Sequence, residues 1–113
     1  MTETIATLLQ KLKENKALFT EVIATVDSRY NHTPTAFKNG GAYNEASQNQ
    51  GSAKVFSFAK LNNLTKEDTL LLFAEHYQSV LNTPEATDHQ NIRQFMQNGW
   101  EGIEFEGEAL SMK

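Results

Sequence analysis

Three histidines and a gathering of side-chain amides are the residues of this 113-residue chain whose types and spacing suit chemistry. A histidine changes charge near neutral pH, so it serves as general acid, general base or anion partner. His76 lies one helical turn beyond Leu72 and Phe73 and beside Tyr77, at the border of an apolar face. His89 follows Asp88 and precedes Asn91 and Arg93. A helix starting there would gather acid, imidazole, amide and guanidinium at its first turn, where free N–H groups favour anions. His32 sits in the turn before Pro34. Two readings stay open: an acid–base site built from His76, Tyr77, His89 and Arg93, or structural histidines beside a plain helix cap. No two histidines have the close spacing that sets ligands on one helix face, and adjacent Asp88 and His89 diverge on helical backbone, so no metal site is expected.

The amides are ten Asn and seven Gln, and Asn39, Asn44, Gln48, Asn49 and Gln50 fall in one stretch. They offer donors and acceptors without charge. In an ordered loop they would bind a neutral polar ligand or knit the loop to itself; in a solvated one they are turn formers. Gln50-Gly51-Ser52-Ala53-Lys54 brings free N–H groups, a hydroxyl and an ammonium to a helix start. It is a phosphate cradle in miniature, without the leading glycine and spacing of a P-loop. Tyr43 gives this loop an apolar anchor, and Gly40, Gly41 and Gly51 give it conformational freedom. Residues 39–54 are therefore expected to be ordered and docked on the helix that starts near Asp88. The groove between them is the candidate site, with Lys54 or Arg93 attracting an anionic or polar ligand. No residue is assigned as catalytic, and no cofactor is expected.

The elements that must position these residues follow from periodicity. Ile5, Leu8, Leu9 and Leu12 mark an amphipathic helix from about Thr4 to Glu14, ended by Asn15 in the left-handed conformation. Phe19, Val22, Ile23, Val26 and Tyr30 mark a second, from about Ala17 to Arg29, forming a hairpin with the first or one bent helix. Thr33–Phe37 is a candidate edge strand, with Pro34–Phe37 beside Ile103–Phe105, and Asn39-Gly40-Gly41 is a turn. Ser52 is a good cap for a helix ended by Asn62-Asn63, and Thr65 caps the next. Leu70, Phe73, Tyr77, Val80 and Leu81 predict one central helix of about four turns. Asp88 is expected to cap a fifth helix carrying Ile92, Phe95 and Met96, closed by Gly99, with Trp100 in the core. Ile103-Glu104-Phe105 alternates as a short strand, and the chain after Ala109 is expected to fray. The reading is α+β and predominantly helical: about five helices with a small two- or three-stranded β element, in a single domain spanning 1–113.

Composition bounds the function. With 39% hydrophobic and 10% aromatic residues, the chain can bury a core and is not disordered. The net charge is −4, so neither nucleic acid nor an anionic membrane is an expected partner. There is no cysteine, which removes thiol catalysis, disulfides and iron–sulfur clusters. The first residues carry no basic and apolar leader pattern, and no apolar run is long enough to span a bilayer, so a cytoplasmic location is expected. No P-loop, dinucleotide fingerprint, Gly-x-Ser-x-Gly or His-Glu-x-x-His is present.

Three strings carry a resemblance. They are Tyr30-x-x-x-Pro34-Thr35-Ala36-Phe37-x-Asn39-Gly40, then Asn44-x-x-x-x-Asn49-x-Gly51-Ser52-x-Lys54, then Asp88-His89-x-Asn91-Ile92-Arg93-x-Phe95-Met96-x-x-Gly99-Trp100-x-Gly102-Ile103-x-Phe105. Over about Phe19 to Leu110 the chain resembles the HopJ family of type III effectors. It departs from that pattern at Ala46-Ser47, where Ala-Gly is expected, and at Ala53, where Cys is expected, so no cysteine-based role carries over. The resemblance implies an effector-like binding or interaction protein that is secreted into a host cell, and it brings no settled activity or cofactor. The candidate surface is Asn39, Asn44, Gln48, Asn49, Ser52, Lys54, His76, Tyr77, His89, Asn91 and Arg93, for an unknown protein or a small polar or anionic ligand. The alternatives are a small enzyme using the His/Tyr/Arg group and a non-secreted housekeeping cytoplasmic protein.

Overall fold

The computed structural model describes residues 5–113. The expected helix start at Thr4 and the leader reading of the first four residues lie outside the described residues. Six helices and five short strands are present among those described. The fold is α+β and helix-rich.

Helix α1 (Ile5–Lys13) buries Leu8 and Leu12, the inner pair of its apolar stripe. Asn15 ends it at φ 58°, with Lys16 N donating to Lys11 O and Asn15 N to Leu12 O, the bonding of a Schellman turn. Helix α2 (Phe19–Arg29) is therefore separate. It packs on α3 (Gln50–Leu61), whereas α1 packs on α4 (Lys66–Leu71), so the two do not form a simple hairpin.

The central helix is α3, not the 70–81 segment. Ala53, Val55, Phe56, Ser57, Phe58 and Ala59 are all buried, because Val55-Phe56 and Phe58-Ala59 put apolar groups on more than one side. Phe56 is the hub, with ring centroids 5.0 Å from Phe95, 5.4 Å from Phe73 and 6.0 Å from Phe37. The predicted long helix is broken into α4 and α5 (Glu75–Asn82). Ala74 turns the backbone at φ 52°, after three tightened i to i−3 bonds at Leu72, Phe73 and Ala74. Leu70, Leu72 and Phe73, just before the break, are all buried.

Helix α6 (Gln90–Asn98) buries Asn91, Ile92 and Phe95 and is closed by Gly99 at φ 61°. A 3-10 turn (Gly99–Gly102) follows, in which Trp100 is half-buried and donates Nε1 to Leu64 O at 3.2 Å. Tyr77 is also only half-buried.

Strands β2 (Phe37–Asn39), β3 (Ala42–Asn44) and β4 (Ile103–Phe105) form an antiparallel sheet in the order β3-β2-β4. The strand expected at Pro34–Phe37 starts at Phe37, and it is central rather than at an edge, since Gly40-Gly41 folds β3 back on it. Its pairing with Ile103–Phe105 holds, in the register Phe37 to Phe105. Strand β1 (Tyr30–His32) pairs with β5 (Leu110–Met112), so the end of the chain does not fray. Leu110 is buried there, and Thr33 N and Lys113 N extend the pairing to Ala109 O and Arg29 O.

Candidate functional site

The first turns of α3, α5 and α6 and the β3–α3 loop border one cleft of about 540 Å³. Its lining includes Asn44, Gln48, Asn49, Ser52, His76, His89 and Asn91, which are seven of the candidate residues. Phe19 and Phe73 supply its apolar wall.

The amides close the cleft on one side. Asn44 and Asn91 face each other as a closed amide pair, Asn44 Nδ2 to Asn91 Oδ1 at 3.1 Å and Asn91 Nδ2 to Asn44 Oδ1 at 3.0 Å. Asn49 Nδ2 adds a donor to Asn44 Oδ1 at 2.6 Å. Asn39 lies beneath them, fully buried, and donates to Asn91 O at 2.8 Å and Asn91 Oδ1 at 3.1 Å. A backbone carbonyl can only accept, so this contact fixes which end of the Asn39 amide is nitrogen. It leaves Asn39 Oδ1 buried without a partner. Asn39 is thus the support of the site and not part of its surface.

Neither helix start is capped as the local sequence suggests. Asn49, not Ser52, begins α3, in the left-handed conformation at φ 50° and with its side chain on Asn44. His89, not Asp88, begins α6 at φ 51°. Neither side chain caps its helix, so among the described residues the first-turn N–H groups of Gly51, Ser52, Gln90 and Asn91 have no side-chain acceptor at the border of the cleft. Gln90 spends its own amide on Thr87 O.

The histidines meet. The ring centroids of His76 and His89 are 5.2 Å apart, and Phe19 meets the His76 ring edge-on at 4.9 Å. The acids nearby are engaged: Glu75 accepts from Phe19 N at 2.7 Å and Asp88 from Arg93 Nη2 at 2.7 Å. The Arg93 hydrogen bond, with a smaller contribution from neighbouring His89, holds the Asp88 carboxyl below its ordinary value.

Four candidates stand outside the cleft. Asn39 is beneath it. Lys54 pairs with Asp27 at 2.9 Å on the α2 side of α3. Arg93 is turned toward residues 83–88. Tyr77 does not line it. The His/Tyr/Arg group is therefore not assembled as one site; only its two histidines come together. His32 is tied to Gln50 instead. Gln50 Nε2 donates to Thr35 O and Gln50 Oε1 accepts from Thr35 N, which fixes the amide. His32 Nε2 then donates to Oε1 at 3.1 Å. Tyr43 is exposed and is not an apolar anchor; its hydroxyl donates to Glu106 at 2.9 Å, which raises its pKa.

Phe19, Phe73 and Gln90 line the cleft without having been singled out. Phe19 and Phe73 read as ordinary core positions of their helices, and nothing in their local sequence marks them otherwise. Among the described residues no group of three or more His, Asp or Glu could hold a metal ion. Nor is any helix among them long and apolar enough to cross a membrane.

The family described as HopJ type III effector protein matches residues 5–110. A crystal structure of the unknown-function protein VPA0580 is 45% identical, with a TM-score of 0.90 over 100% of this chain and 97% of that one. No curated protein matches.

Proposed function

The chain belongs to the HopJ family, and on that premise we propose that it is an effector-like binding protein whose cleft takes a small acceptor-rich ligand, a carboxylate or a phosphate ester. One observation carries the reading. His76 and His89 meet at 5.2 Å on a cleft that two uncapped helix starts also border. The groups left over there are mostly donors: the first-turn N–H groups, the Ser52 hydroxyl and the Gln48 amide nitrogen, whose own oxygen accepts from Glu45 N. Asn44 and Asn91 are largely spent on each other, so they shape the cleft more than they contact its occupant. Lys54 and Arg93 are ion-paired elsewhere, which leaves affinity to hydrogen bonds, those of the two imidazoles included.

The probes are inorganic phosphate, succinate and acetamide, titrated into isotope-labelled protein. Saturable, concerted shifts of the His76 and His89 ring signals and the Ser52, Gln90 and Asn91 amide signals with phosphate or succinate support the reading. Binding of acetamide alone would keep the cleft and reject the anion. No shift with any probe would reject both.

The same ring pair favours a second reading, an enzyme using His76 or His89 as general acid or base. Turnover that is lost in both His76→Gln and His89→Gln would select it. Neither reading includes a nucleic-acid or membrane partner. Delivery into a host cell is the location we propose, with a bacterial cytoplasmic role as the alternative; a translocation reporter fused to the full chain separates them.

A further inference from the structure

We propose that Arg93 is the positioning residue of the cleft: it clamps residues 83–88 so that His89, at the end of that strap, is held against His76. The inference rests on the cleft as the functional site. Residues 83–90 are all exposed, so no buried side chain anchors the strap. Its hold on the body is polar, and most of it is one guanidinium whose side chain is only 11% exposed. Nε donates to Asp88 O. Nη1 donates to Thr83 O at 2.9 Å and Pro84 O at 3.4 Å. Nη2 donates to Thr83 Oγ1 at 3.3 Å and Asp88 Oδ1 at 2.7 Å. All five donors of the fork are used, and they grip both ends of the strap at once. The next residue is His89, in a left-handed conformation that is uncommon for non-glycine residues, though histidine adopts it more readily than most. The clamp holds the segment that leads into this turn, and it explains why a guanidinium in a cleft-forming helix start points away from the cleft. Lysine, with three donors on a point charge, cannot span the same partners.

The test needs no ligand. In the wild type, nuclear Overhauser contacts between the His76 and His89 rings should be visible, and strap order parameters should lie near ~0.85. In Arg93→Gln and Arg93→Lys the ring contacts should vanish and strap order parameters fall below ~0.6, while the far-UV signal stays close to wild type. Failure of lysine to rescue separates the fork geometry from mere charge. Persistence of the ring contacts in folded Arg93→Gln would overturn the proposal. If that variant does not fold, Arg93→Lys, which keeps the charge and the aliphatic stem but not the fork, asks the same question, with loss of the ring contacts supporting the clamp and persistence rejecting it. Because the rings are read in the free protein, this result is independent of the titrations that decide whether the cleft binds.

Discussion

Asn44 and Asn91, 47 residues apart, hold each other through a reciprocal pair of amide hydrogen bonds at 3.1 and 3.0 Å. The pair joins the end of β3 to the start of α6, and Asn39 and Asn49 attach to it from below and beside. It ties the amide-rich loop to the helix that carries one of the two histidines.

Removing one member should expose the cost of this arrangement. Asn91→Ala leaves the Asn44 amide short of a donor and an acceptor in a site where Asn44 is only 3% exposed. The expected loss is about 1–3 kcal/mol per group left unpaired, read from urea unfolding. A change of a few tenths would mean that water replaces the side chain freely.

Phe73→Ala should cost about 3–5 kcal/mol, since Phe73 is 2% exposed and packs on Phe56 and Phe19. The same truncation at half-buried Tyr77 should cost less. Equal unfolding midpoints for the two variants would contradict the placement of α4 and α5.

Gly40 holds φ at 57°, and a Cβ there would stand 2.3 Å from Asn98 Nδ2 and 2.6 Å from Gln94 Oε1. Gly40→Ala should lose about 1–2 kcal/mol from the backbone alone, and more unless both side chains move. Gly41→Ala, with its nearest neighbour at 3.9 Å, is the matched control and should be mild. Thermal midpoints that fall equally would refute the distinction.

Asp88 should titrate below its ordinary value of 3.8 in the folded protein, because the Arg93 hydrogen bond favours the carboxylate. A folded pKa below the unfolded one contributes stability that is complete above the unfolded value and is lost as pH falls through the folded one. The carboxyl carbon shift follows the titration directly. Arg93→Gln should return Asp88 toward 3.8, and a native Asp88 already titrating there would remove the clamp's electrostatic basis.

Tyr43 should ionise above 10.0, because its hydroxyl donates to the Glu106 carboxylate and the phenolate would lose that bond. Here the folded pKa is raised, so the contribution is present below the unfolded value and lost as pH rises through the folded one. Ultraviolet titration of Glu106→Gln should show one tyrosine moving down toward 10.0; an unchanged curve would break the assignment.

Much of the helical frame was legible because its signals are local. Asn15 and Asn63 turn left-handed where apolar stripes end, Thr65 accepts from Asp68 N, and Gly99 closes α6. The errors came where distant contacts outweigh local preference. Asp88 is a better cap by type than His89, whereas Ser52 and Asn49 are equals, so residue type does not choose between those two. Yet Asn49 is claimed by Asn44, and Asp88 by Arg93. No residue around Ala74 announces a break, since alanine is not a type that favours positive φ. Of the site, the amides and histidines could be singled out by type. Their assembly could not, because the approach of His76 to His89 depends on that same break and on the strap between them.

The pairing of β1 with β5 bears on folding order. It joins residue 32 to residue 110, so most of the chain must be gathered before it can form. Closing so long a loop carries an entropic penalty that grows with its length, and each strand is three residues long with Leu110 the main side chain buried by β5. Such a clasp belongs late on the folding route and early on the unfolding route, with little influence on the folding rate and a larger one on the unfolding rate. Amide exchange at Thr33 and Lys113 should accordingly report the first opening of the molecule, well before the Phe56 core yields.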